Sequence, residues 1–215
     1  MNLGAEYRPS QTVHIRINGF RNDIRSLIDV RQVATRIDGS QIFSYLNVKR
    51  AFTQGVETEF RWQLKTTWQL SGGYQWLRTG DKDEWARIKK GLEYTRSSDG
   101  TSRVMNKNEY VGLPNRSKHQ AQFKLTYQPS ETRFVFLRGF YRSRWTVANS
   151  NGNGVHDVQD ESANGFVQIN LSGGLPLRKN LQLQAGIENL LNHQDISYLP
   201  NFPGRNLYLT LNFKL

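Results

Sequence analysis

The chain of 215 residues lacks cysteine, and no run of about 18 apolar residues occurs in it. The first absence excludes disulfide bonds and thiol chemistry. The second excludes a membrane-spanning helix. Mean hydropathy is also low, at -0.66. That average does not exclude membrane-spanning strands, because lipid-facing and water-facing residues alternate along each strand of a transmembrane β-barrel.

The sequence also lacks a dense basic block, although its formal net charge is +11. An excess of positive charge favours an anionic partner. Since the Lys and Arg residues are scattered, we predict no nucleic-acid binding. The N-terminal stretch MNLGAEYRPSQ has neither a basic region nor an apolar region of the kind found in secretory signals. We expect it to begin inside a strand.

Signatures of catalysis are missing as well. The sequence contains no nucleophile elbow, no zinc-binding helix motif and no phosphate-binding loop motif. We therefore predict that the protein is not an enzyme and has no catalytic residues.

What the sequence does contain is strict alternation, seen most clearly in the last ten residues, NLYLTLNFKL. Odd positions are apolar and even positions are mostly polar, which predicts a strand with one apolar face. The pattern recurs upstream and predicts about eight full strands plus a partial first one, with no amphipathic helix. These segments are residues 11–28, 55–64, 68–78, 119–128, 132–147, 166–173 and 180–190.

Short and long connections alternate along the chain. Tight turns are predicted near Pro9 and at 65–67, 129–131 and 175–180, and long polar segments at 29–40, 80–113, 148–163 and 194–204. Apolar and polar residues also alternate along the strands of a soluble β-sandwich, but those strands rarely exceed about ten residues. Short turns on one rim and long loops on the other favour an outer-membrane barrel. Aromatic residues near strand ends agree, namely Trp62, Trp68, Trp76, Tyr127 and Trp145.

Four stretches carry a family resemblance. They are NVKRAFTQGVETEF (47–60), LPNRSKHQAQFKLTY (113–127), LQAGIENLLNHQD (183–195) and PGRNLYLTLNFKL (203–215). In this order and spacing they resemble the C-terminal part of TonB-dependent outer-membrane receptors. The resemblance implies an all-β fold, an antiparallel up-and-down transmembrane β-barrel of 22 strands filled by a plug. Residues 1–215 would supply about eight to nine of those strands, without the plug domain and the N-terminal strands.

The same resemblance implies a function and partners. A receptor of this family sits in the bacterial outer membrane and takes up a scarce ligand, such as an iron-siderophore, cobalamin or haem. Its partners would be outer-membrane lipid and lipopolysaccharide, a small-molecule or chelate ligand, and a TonB-type energy-coupling protein that acts through the plug. Two alternatives are a small self-contained barrel with an adhesin or structural role, and an outer-membrane hydrolase. The second would need Ser and His side chains facing lipid, and we find no such pair.

The stretch NSNGNGVHDVQD, residues 149–160, has the spacing of a calcium loop. Oxygen ligands alternate and a glycine occupies the sixth position, as in EF-hand loops. A flexible Asn/Gly hairpin loop is the other interpretation. No other cofactor is predicted. The candidate ligands are Asn149, Asn151, Asn153, Val155, Asp157 and Asp160.

Two further sets of residues are candidates for ligand binding. The long segment 80–113 carries aromatic side chains that suit a recognition surface, and the strand after Pro129 carries arginines of one parity that suit an anionic ligand or plug carboxylates. The predicted ligand-binding residues are Trp85, Tyr94, Tyr110, Arg138, Arg142 and Arg144.

Overall fold

The computed structural model describes residues 1–97, 99–150 and 152–213, apart from the side chains at 29–32, 35, 46, 48 and 49. These described residues form thirteen strands and one helix. In chain order these are β1 Asn2–Ser10, β2 Val13–Thr35, β3 Gln41–Lys65, β4 Trp68–Asp81, α1 Lys82–Lys89, β5 Tyr94–Arg96, β6 Ser102–Val104, β7 His119–Ser130, β8 Arg133–Arg142, β9 Trp145–Ala148, β10 Glu161–Ala163, β11 Phe166–Arg178, β12 Leu181–Glu188 and β13 Asn206–Phe213.

Nine of the strands form one antiparallel sheet, in the order β1-β2-β3-β4-β7-β8-β11-β12-β13. Each strand pairs with the next sheet strand along the chain, so the topology is up-and-down. The predicted all-β class and strand number are confirmed. Among the described residues β1 and β13 do not pair with each other. The sheet is therefore open, whereas a small self-contained barrel would need these two strands to close it.

The pairing register separates two faces of the sheet. Ile15 pairs with Phe60, and Phe123 lies in the same row. One residue along, Arg16 pairs with Glu59, and Gln122 lies in that row. We call the face of the first row the apolar face and that of the second row the polar face. Period-two alternation produces this separation through the middle of the sheet, because side chains of successive residues point to opposite sides.

The two rims of the sheet differ in their connections. At the turn rim β1 joins β2, β3 joins β4, β7 joins β8 and β11 joins β12, each through two residues. At the opposite, loop rim lie the segments 82–118, 143–165 and 189–205. The smaller elements α1, β5, β6, β9 and β10 all belong to this loop rim. Most of the buried side chains lie there too.

Three predictions about local structure were wrong. The segment 29–40 is mostly strand, since β2 runs to Thr35 and β3 begins at Gln41. The segment 132–147 is two strands, because β8 ends at Arg142 and β9 begins at Trp145. A helix, α1, is present where none was predicted. It begins after Asp81, whose carboxylate accepts hydrogen bonds from the Asp83 and Glu84 amides at 2.7 and 3.4 Å.

Within the described residues, no helix has the length and apolar character that a membrane-spanning helix needs.

Candidate functional site: the loop rim and the polar face

A small apolar cluster holds the longest loop segment together. Ile88 of α1, Met105 and Val155 are buried against one another, with Trp85 and Tyr110 packed around them. Val155 belongs to the segment between β9 and β10, whereas the others belong to the segment between β4 and β7. Two loops that are distant in sequence therefore share one core.

Two of the predicted binding residues meet in this core. The rings of Trp85 and Tyr110 stack with centroids 5.8 Å apart. The Tyr110 hydroxyl donates to Glu84 at 3.0 Å and accepts from the Asp81 amide at 2.8 Å. Burial, and then the nearby Glu84 carboxylate, raise the pKa of the Tyr110 phenol. Since Tyr110 is partly buried and hydrogen-bonded, it supports the loop.

The third aromatic residue, Tyr94, lies apart from that pair on β5, and its side chain is exposed. Its backbone carbonyl accepts a hydrogen bond from the Asn153 side chain at 2.8 Å. The exposed ring is thus attached to a backbone segment that the neighbouring loop holds in place.

Asp157 links the two loops from a fully buried position. Its Oδ2 accepts from the Thr95 hydroxyl at 2.7 Å and from the Asn153 amide at 2.9 Å, and its Oδ1 accepts from the Gln159 backbone at 2.8 Å. A buried carboxylate with several donors is well satisfied, and removing a donor would leave uncompensated charge. The Thr95 contact spans 62 residues of sequence.

The calcium-loop candidates lie in the same place, except that Asn151 falls outside the described residues. Asp160 is buried and accepts from the Ser150 and Asp157 backbone amides at 3.0 and 2.9 Å. Asn149 donates to the Asn153 side chain at 3.2 Å. Both Asp160 carboxylate oxygens therefore accept from the loop backbone. Among the described residues, no group of three or more His, Cys, Asp or Glu side chains is placed to hold a metal ion.

The three predicted arginines do not form one ladder. Arg138 lies on the polar face in mid-strand, in the same row as Lys124. Arg142 ends β8, where its guanidinium lies 3.8 Å from the Trp145 ring centroid and donates to the Ser117 hydroxyl at 2.6 Å. Arg144 lies beyond the strand and donates to the Val158 carbonyl and the Ser162 hydroxyl. Arg138 and Arg142 therefore belong to the sheet and Arg144 does not, and Arg142 and Arg144 also hold loops.

The polar face forms a concavity of about 660 Å³ in the middle of the sheet. Five charged side chains are part of its lining, and the cations among them outnumber the carboxylates. They are Arg16, Arg61, Lys124 and Arg138, with Glu59 as the acidic member.

Aromatic residues on this polar face were missed by the sequence analysis. Phe134 and Phe136 stack with centroids 4.6 Å apart, and the Lys124 ammonium lies 4.2 Å from the Phe136 centroid. Their even numbers could have placed them on the polar face, because Arg138 and Arg142 on the same strand also have even numbers. The face thus combines cations with aromatic rings, an arrangement that favours cation–π contacts.

Comparison with known proteins identifies the family. The family profile "TonB dependent receptor-like, beta-barrel" matches residues 1–190. A search of the curated proteins gives no match.

Solved structures share the fold at low sequence identity. The copper transporter OprC is 18% identical with a TM-score of 0.62, and the match covers 99% of this chain and 30% of that one. A mutant of the ferric enterobactin receptor PfeA from Pseudomonas aeruginosa has the same four values. The ferric-catecholate import receptor Fiu from E. coli is 16% identical with a TM-score of 0.60, covering 99% and 27%.

The chain thus spans less than a third of the length of these three structures. At such identities the likeness shows the fold, and the family assignment comes from the profile, which covers most of the chain. The chain therefore belongs to the TonB-dependent receptor β-barrel family, and its nine-stranded sheet is a section of barrel wall.

Proposed function

We propose that this chain forms the C-terminal section of the barrel wall in an outer-membrane receptor that imports a scarce ligand with energy from a TonB-type protein. The observation that carries the proposal is the separation of faces. On β13, Leu207, Leu209 and Leu211 are 69%, 69% and 60% exposed. An apolar face that packs against nothing within the described chain suits lipid.

The polar face then meets the lumen, where a plug domain would fill the barrel. A barrel wall holds its plug through polar contacts, and Arg61, Lys124 and Arg138 can pair with carboxylates there. Lipid and lipopolysaccharide would surround the opposite face. The energy-coupling protein would act through the plug.

The ligand would be bound at the loop rim, where Tyr94 is exposed on a segment that Asp157 and Asn153 hold in place. An iron-siderophore, cobalamin or haem is proposed from the family. The names of two related structures mention copper and ferric enterobactin, which makes those two ligands practical first probes.

An uptake experiment tests this proposal. Cells carrying the full-length receptor, cells lacking it and cells lacking the coupling protein would be given radiolabelled ferric enterobactin, ferric hydroxamate, cobalamin, haem or copper. We expect accumulation of one probe to require both proteins. If receptor deletion changes the uptake of none of them, and the purified receptor binds none, the proposal fails.

We also propose calcium as a ligand of the 149–160 loop, on the spacing of its oxygens. Thermal unfolding of the full-length receptor in calcium and in chelator tests it. A calcium-dependent rise in unfolding temperature that Asp160→Ala removes would support the site. Equal unfolding temperatures in calcium and in chelator would contradict the proposed calcium site.

A further inference from the structure

We propose that a second pocket, at the loop rim, binds a phosphate-type oxyanion. This inference rests on the proposed function, since it places the pocket at the loop end of a receptor wall. The pocket has a volume of about 450 Å³, within the range of small-molecule sites. Two of the predicted ligand-binding residues, Tyr110 and Arg144, are among those that line it.

The pocket lies beside the part of β4 that extends beyond β7. The first residue of β7, His119, pairs with Trp76, so residues 77–81 have a sheet neighbour on one side only. The segment 107–118 covers the other edge. The Leu77 amide donates to the Lys118 carbonyl at 2.9 Å, and the Leu113 amide donates to the Thr79 hydroxyl at 3.0 Å. These hydrogen bonds fix one wall of the pocket.

The second wall comes from the segment around β9 and β10. The Asn115 amide donates to the Thr146 carbonyl at 2.8 Å and so ties the two walls together. Arg144 is anchored on this side by its hydrogen bonds to Val158 and Ser162, at 3.2 and 3.1 Å. Both walls therefore consist of backbone that is already hydrogen-bonded.

The charge of the lining points to the ligand. Five cations line the pocket and no carboxylate does, and none of these cations forms an ion pair within the described part of the chain. Uncompensated cations converging on one volume favour an anion. The five are Arg78, Lys107, Arg116, Lys118 and Arg144.

The chemistry of the lining narrows the class of anion. The Arg78 guanidinium lies 4.3 Å from the Trp85 ring centroid, and stacking of this kind leaves the in-plane N–H groups available. Guanidinium groups match the oxygens of phosphate through paired hydrogen bonds. The hydroxyls of Ser117 and Thr146 and the ring of Trp145 also line the pocket. These groups suit a phosphate carried on a larger polar body such as a sugar.

Such a phosphate has two sources at a membrane surface, a soluble molecule or a phosphorylated lipid headgroup. Inorganic pyrophosphate is the probe for the first, titrated into the purified full-length receptor by calorimetry. Bisphosphorylated lipid A is the probe for the second, measured as lipid retained on the receptor in native mass spectrometry.

The test variant combines Arg116→Gln and Lys118→Gln, because both side chains are exposed and neither holds the loop by an ion pair. The charge-matched control combines Arg133→Gln and Lys179→Gln, which are exposed at the turn rim. Losing two charge-assisted contacts should weaken pyrophosphate binding about tenfold or more in the test variant and not in the control.

Retention of lipid A by the wild-type receptor and its loss in the test variant would assign the pocket to a lipid headgroup. Pyrophosphate binding that depends on the pocket, without lipid A retention, would assign it to a soluble anion. Equal affinities in test variant and control, or no binding of either probe at millimolar concentration, would overturn the proposal. Uptake measured in parallel separates this failure from failure of the proposed function.

Discussion

The ring of Phe123 on β7 lies directly over Gly139 on β8, so closely that a Cβ atom at residue 139 would overlap it. The same relationship occurs two strands earlier in the same row, where Phe60 lies over Gly72. An aromatic ring that covers a glycine on the adjacent strand compensates for the missing side chain. The apolar face is therefore packed by alternating rings and glycines along this row.

Gly139→Ala should destabilise the barrel, because the new methyl group must displace the Phe123 ring. Overpacking of this kind costs about 1–3 kcal/mol. The measurement is urea unfolding of the full-length receptor in detergent, followed by tryptophan fluorescence. The matched control is Gly19→Ala on β2, where the nearest atom to a new Cβ is the Leu3 carbonyl oxygen at 3.8 Å. Equal midpoints for the two variants would contradict the packing described for Phe123.

Asp157→Asn should separate the two long loops. The amide that replaces the carboxylate would direct its N–H groups at the side chains of Thr95 and Asn153, which are themselves hydrogen-bond donors. The expected cost is about 1.5–3 kcal/mol, the contribution of a hydrogen bond to a charged group. Hydrogen exchange of residues 94–96 and 152–160 measures it.

The control for that variant is Asp99→Asn. Asp99 also accepts bonds from a nearby residue, the Thr101 amide and hydroxyl, but it is exposed at a hairpin tip. In the Asp99→Asn variant, hydrogen exchange in the neighbouring loop should stay as in the wild type. Equal exchange rates in wild type and Asp157→Asn would mean that Asp157 does not join the loops.

Acid should loosen the hairpin of β5 and β6. Arg103 binds Glu109 and lowers the pKa of that carboxyl from 4.5 to about 2. Because the pKa is depressed in the folded state, the ion pair stabilises the loop above pH 4.5, and this contribution is lost as the pH falls toward 2. A nitroxide label at Ser102 should become more mobile over that range. In the Glu109→Gln receptor the label should show the same mobility throughout, and a retained pH dependence would exclude this ion pair as the cause.

The sequence was sufficient to predict the sheet, since most of its strands alternate apolar and polar residues with period two. Prediction failed where that pattern weakens. Beyond residue 28 the regular alternation of apolar and polar residues breaks down, so the sequence did not predict the extension of β2 to Thr35. Helix α1 had readable signals in Asp81, in acidic residues in its first turn and in basic residues in its last. They were overlooked within a long polar segment.

The loop contacts were beyond sequence reasoning for a different reason. Asp157 was singled out for its spacing to nearby asparagines, yet its donor Thr95 lies in another loop. Arg144 shares a parity with Arg138, but the chain leaves the sheet after residue 142, so parity no longer decides where the Arg144 side chain lies. Non-local packing sets these positions.

The most direct test of the account is single-cysteine labelling of the full-length receptor in its membrane at Leu209 and Thr210, adjacent residues on β13. Leu209 pairs with Ala185 on the apolar face, and Thr210 pairs with Gln184 on the polar face. Leu209→Cys should react with lipid-soluble reagents, and Thr210→Cys with aqueous ones. The reverse pattern, or equal labelling of both by aqueous reagents, would contradict a wall with lipid on one side and a polar lumen on the other.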